Sequence, residues 1–152
     1  MDLRTRISAA LKAAMKDREA DRLGTLRLIN AAIKDRDIAA RTGDGEEGVS
    51  EAEVLAILAR MVKQRQESAR AYEEGGRLDL AERERAEIAV IEEYLPRQLT
   101  ADEVDEAIGT AIVETEANSI RDMGKVMAQL KARYAGRMDF AAVGPMVRQR
   151  LT

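Results

Sequence analysis

The sequence predicts an all-α protein in two parts, an N-terminal long-helix hairpin domain over 1–95 and a C-terminal three-helix bundle over 100–152. Three observations point there. Aromatic residues make up only 3% and Pro occurs twice, so strand formers and helix breakers are scarce beside Ala, Leu, Glu, Arg, Ile and Met. Apolar residues recur at helical spacing through most of the chain, and no alternating run of strand type appears. Pro96 disfavours helix at Leu95, which divides the pattern.

The elements follow in order. Leu3, Ile7, Ala10, Leu11, Ala14 and Met15 give a first helix over about 2–19. A second starts near Arg22, carries Leu23, Leu26, Ile29 or Asn30, and Ile33, and fades after Ile38. The stretch TGDGEEGVS, 42–50, holds three glycines and three acids without periodicity and reads as a mobile loop. Ser50 and Glu53 have capping-box spacing. The helix they open runs to about Glu74, with Val54, Leu58, Met61, Val62, Ala69 and Tyr72 on one side, and Gly75 with Gly76 stops it. The next helix, over 78–93, turns Ala81, Ile88, Ile91 and Leu95 inward.

Beyond Pro96, Thr100 and Glu103 form a second capping box. The helix over 101–117 shows the stripe Val104, Ala107, Ile108, Ala111 and Ile112. Asp122 is placed as the cap of a helix over 123–134, with Met123, Val126, Met127, Leu130 and Tyr134 inside. Gly136 breaks the chain. Asp139 opens a last helix with Phe140, Val143, Val147 and Leu151 facing in. Gly144 and Pro145 should kink that helix, or restart it with Pro145 at the first helical position.

Composition removes several kinds of chemistry. With no Cys and no His there is no thiolate nucleophile, no disulfide and no Cys- or His-based metal site. No apolar run approaches transmembrane length and no signal-peptide pattern opens the chain. The expectation is a soluble cytoplasmic protein with no membrane segment, metal or cofactor. Long-helix charges are partly ordinary helix support, as in the spacings Lys63–Glu67, Arg70–Glu74 and Arg83–Glu87. Arg65 and Arg85 lie near the apolar stripes of their helices, and antiparallel packing could pair them with Glu84, Glu87, Glu92 and Glu93 in a half-buried ion-pair network. No side chain is assigned as catalytic.

Charge is unevenly spread. Residues 101–118 carry six acids and no base, whereas 119–152 carry seven bases and two acids. Arg outnumbers Lys 19 to 6, which suits phosphate recognition and equally suits a GC-rich codon bias. The first amides of a helix lack internal partners and its dipole favours anions there, so Gly124 and Lys125 form a candidate anion site. Lys125 falls opposite the apolar stripe, and Lys131 and Arg133 flank it. Arg121, Arg137, Arg148 and Arg150 complete the basic set. The same pattern also fits a small helix whose Gly124 admits a neighbour, with Asp122 repelling anions. Tyr134 and Phe140 sit on the apolar stripe, so RNA recognition would use backbone and shape rather than base stacking.

Three stretches in this order resemble the YqeY family over the whole length: TLRLINAAIKDRDI at 25–38, MVKQRQESARAYEEGGRLDLAERERAEIAVIEEYLPRQL at 61–99, and DMGKVMAQLKARYAGRMD at 122–139. Gly144 and Pro145 depart from the helix-compatible polar residues usual in that family. Its three-helix part is similar to the tail of the GatB subunit of tRNA-dependent amidotransferases. Those enzymes convert mischarged Glu-tRNA or Asp-tRNA with glutamine as nitrogen donor. There the kinase-like cradle does the chemistry and the tail binds tRNA near its outer corner. The resemblance therefore implies a non-catalytic tRNA-binding or tRNA-associated module that uses the outer face of the last two helices. Two other readings stay open. One is a protein–protein adaptor that offers an apolar groove of the N-terminal helices to a protein partner. The other is a carbon–nitrogen ligase with glutamine as amido donor.

Overall fold

The computed structural model describes residues 2–40 and 49–152. Among them the protein is all-α: α1 (Leu3–Lys16), α2 (Ala20–Ala40), α3 (Glu51–Glu74), α4 (Leu78–Glu92), α5 (Ala101–Glu114), a short 3-10 helix (Ile120–Asp122), α6 (Met123–Tyr134) and α7 (Phe140–Leu151). No described helix is long and apolar enough to cross a membrane. The chain divides into two compact units, Met1–Leu95 and Pro96–Thr152. The loop expected at 42–50 lies outside the described residues except for its end. There Val49 is buried and its N–H donates to Asp37 Oδ1 at 2.9 Å, so this end is anchored.

In the first unit, four helices bury Leu3, Ile7, Leu26, Ile29, Ile33, Val54, Leu58 and Ile91 in one core. Ile29, not Asn30, takes the inner position. Helix ends are tied across elements. Asp2 caps α1 through the Thr5 amide, and Glu51 of α3 accepts the Leu3 N–H at 3.1 Å. Asp37 holds Arg4 through two bonds of 2.8 and 2.7 Å. The expected box at Ser50 is only half made. Ser50 accepts from the Glu53 amide, while the Glu53 carboxylate leans toward Arg36 at 3.9 Å.

The α3–α4 hairpin turns at Gly76, whose φ of +75° suits glycine, and the Arg77 N–H closes the turn on the Tyr72 carbonyl. Arg65 and Glu87 pair across it at 2.8 Å, with only 14% and 26% of their side chains exposed. Glu87 thus serves the other helix. Arg85 pairs with Glu73 of α3, not with an acid of its own helix, and Glu93 pairs with Arg22 of α2. Of the expected half-buried network, the Arg65–Glu87 pair forms, whereas Arg85 and Glu73 make a separate pair that is 51% and 40% exposed. Tyr94 closes this unit, buried beneath Arg6 and accepting a bond from Arg22 at 3.1 Å.

In the second unit, α5, α6 and α7 bury Ala107, Ile108, Ala111, Val126, Leu130, Val143, Val147 and Leu151. Both halves of the Thr100–Glu103 capping box form. Helix α5 ends three residues before the expected 117. Glu116 adopts φ of +55°, and the Ala117 N–H turns back to the Ile112 carbonyl. Asp122 does not cap α6 as expected. A 3-10 turn leads directly into the helix, and the Asp122 carboxylate accepts from the Asn118 N–H at 2.9 Å instead. Gly144 and Pro145 neither end nor restart the last helix, which runs as one element from Phe140 to Leu151. Gly144 is buried facing Met123, whose methyl would stand 3.8 Å from an added Cβ.

The Arg97 guanidinium, with the Thr100 amide behind it, lowers the Glu103 pKa from 4.5 to about 2. A carboxyl group with a depressed folded pKa stabilises the fold above its unfolded pKa and loses that contribution as pH falls through the folded one. The Glu103→Gln variant should therefore be less stable than the parent above about pH 5. The difference should shrink between 4.5 and about 2. Urea melts across that range check it, and a gap that persists unchanged at pH 2 would contradict the assignment.

Candidate nucleic-acid interface

Helix α6 has a clear inside and outside. Val126 and Leu130 are fully buried, and Met123, Met127 and Tyr134 pack at the margin. Gly124, Lys125, Ala128, Lys131 and Ala132 are exposed on the opposite side. Around Gly124, a built Cβ would meet nothing within 4 Å. Packing within the described residues therefore gives no reason for glycine at this position.

The start of the helix differs from a bare row of amides. The Asp122 N–H bonds to the Ser119 carbonyl and the Met123 N–H to the Ile120 carbonyl, so two amides ahead of Gly124 are already occupied. Asp122 also stands 3.3 Å from the Lys125 ammonium. The Asn118 amide, and then Lys125, hold its carboxyl below the usual carboxylate range.

The remaining cations divide into two groups. Arg133 pairs with Glu114 Oε2 at 2.7 Å, and Gln129 donates to the same oxygen at 2.8 Å. Arg133 is the main reason the Glu114 carboxyl lies below its usual range. Arg137 donates to the Arg97 carbonyl at 3.0 Å and lies 5.9 Å from the Tyr134 ring centre. Arg150 reaches across to α5, bonding the Asp105 carbonyl at 2.9 Å. Arg121, Lys131 and Arg148 are exposed, and among the described residues no hydrogen bond or ion pair engages their side chains. Tyr134 and Phe140 pack against the core cluster, as expected.

An open depression of about 560 Å³ beside α5 is lined by Asp105, Glu106, Thr110, Glu114 and Arg150, among others. Three carboxylates against one guanidinium in its wall do not suit a phosphate. Among the described residues no three carboxylates gather as a metal site. Sequence reasoning missed Glu114 and Gln129. The i, i+4 spacing of Gln129 and Arg133 was visible, but an acid reaching them from another helix has no local signature.

Residues 4–151 match the family model described as Yqey-like protein. The chain belongs to the YqeY family. The match spans nearly all of both compact units, so this YqeY-like protein shares more with its family than the basic segment alone. No curated protein matches the chain.

Because Gly124 lies exposed in a helix with open space around it, the Gly124→Ala variant of this YqeY-like chain should be more stable by about 0.5–1 kcal/mol. The urea midpoint should rise with an unchanged slope. A lower midpoint would mean that the position is needed for packing after all.

Proposed function

We propose that this chain is a non-catalytic tRNA-binding module that meets the RNA backbone with the outer faces of α6 and α7. The observation that carries the reading is the partition of its cations. In a chain of net charge −3, Arg121, Lys131 and Arg148 stand exposed with no internal acid engaged among the described residues. Solvated cations without partners meet phosphate without first breaking an ion pair. Gly124 supports the same reading, because its bare backbone lets a phosphate approach α6 more closely than a side chain would allow.

The reading fixes a salt dependence. Each neutralised phosphate contributes about 0.7–0.9 to the slope of log affinity against log salt, so three such cations give a slope of about −2 to −3. Bulk tRNA should bind the full chain with that slope. A Lys131→Glu, Arg148→Glu double variant should bind at least about tenfold more weakly with a shallower slope. Both side chains are exposed, so the variant should melt like the parent. A folded parent that fails to bind tRNA at low salt overturns the reading.

A second reading, a protein–protein adaptor, is favoured by α2. Leu28 and Ile38 are 47% and 64% exposed on the helix that buries Leu26, Ile29 and Ile33 on its other side. A protein partner that survives high salt and is lost on Leu28→Ser would favour this alternative.

A further inference from the structure

Arg133 and Gln129 lie one turn apart on α6, and their donors converge on a single oxygen, Glu114 Oε2, at 2.7 and 2.8 Å. A guanidinium beside a carboxamide, aimed at one anionic oxygen, is also the arrangement that a non-bridging phosphate oxygen accepts. The oxygen now in place belongs to a carboxylate on the last turn of α5. That end of a helix disfavours negative charge, so the helix itself gives Glu114 little reason to stay. Arg133 and Gln129 are its only hydrogen-bond and ion-pair partners among the described residues, and the paired side chains are 44% and 48% exposed. An ion pair this open to water contributes little, so displacing the carboxylate costs little.

Lys125 offers a contrast. Its partner Asp122 is tethered by the Asn118 amide and sits on the preceding turn of the same chain segment. An incoming phosphate cannot remove it without opening that turn. The two paired cations of α6 therefore differ in kind, one held by a tethered acid and one by an acid that can swing away.

We propose that Arg133 and Gln129 form a phosphodiester seat which Glu114 occupies in the free protein and must vacate when RNA binds. The proposal rests on the tRNA-binding reading above and adds a site and a competitor to it. Glu114 then competes with the incoming phosphate, and a backbone already engaged by Lys131 displaces it.

The test measures bulk tRNA binding to the full chain across salt concentrations for the parent, E114Q, E114Q/R133Q and E116Q, each checked for folding by its urea melt. E116Q removes the same charge two residues on, from a side chain with no partner among the described residues. E114Q should tighten binding about threefold to tenfold with little change in the salt slope, since the same phosphates are neutralised and only the competing carboxylate is lost. Adding R133Q should abolish the gain, and E116Q should change affinity less than about twofold. E114D keeps the charge, shortens the reach and should tighten binding as well, which preserves the test if E114Q does not fold. A parent that binds tRNA while E114Q and E116Q behave alike overturns the seat and leaves the tRNA reading standing. Folded parent and E114Q that both ignore tRNA at low salt overturn the tRNA reading, and the seat with it.

Discussion

Internal acids decide what the basic end of this chain can do. Seven cations crowd into residues 119–152, yet they are not equivalent. Arg150 is fixed to Asp105, Arg137 to a backbone carbonyl, Arg133 to Glu114 and Lys125 to Asp122. These contacts do structural work by closing helix ends and joining α5 to its neighbours. An external phosphate competes with each of them. Of the cations at this end, the fold leaves Arg121, Lys131 and Arg148 unengaged among the described residues. An exposed pair adds little stability, so the Arg133–Glu114 contact can be exchanged without unfolding the unit.

The scaffold holding these side chains is built by apolar stripes and closed by polar ends. Each unit has its own core, and several helix starts are satisfied by a local cap or by another helix. Glu51 on the Leu3 amide and Asp37 on the Val49 amide are examples in the first unit. In the second, the Leu99 N–H meets the Arg137 carbonyl, which docks the segment before α5 onto the turn after α6. That turn contains Gly136 at φ of +74° and is followed by buried Met138. Arg137 is thus held on both its backbone and its side chain, which limits its use as a mobile ligand for RNA.

The helices were legible because each rests on local patterning. The α5 stripe and the Thr100–Glu103 box lie within one element, and both formed as read. Termini decided by competing local bonds were less legible. Asp122 has cap spacing, but its carboxylate turned back to Asn118, and Glu53 leaned to Arg36 instead of completing its box. Gly144 and Pro145 suggested a kink or a restart, and the restart does not occur, since exposed Pro145 lies within one helix beside buried Gly144. Pairings between helices were the least legible. Arg65 was expected to meet an acid across the hairpin and did so, because the hairpin fixed which helices face each other. That Glu114 would take Arg133 and Gln129 depends on how α5 meets α6, which no local pattern specifies. The family match adds membership over residues 4–151 and assigns no role to any of these side chains.

The most direct test follows the backbone amides of the full ¹⁵N-labelled chain by NMR while bulk tRNA is added at low salt. The account predicts progressive shift changes at Arg121, Gly124, Lys131 and Arg148 and their neighbours on α6 and α7, reversed by added salt, with α1 to α4 unmoved. Changes confined to α1 to α4, or none at all, would contradict it.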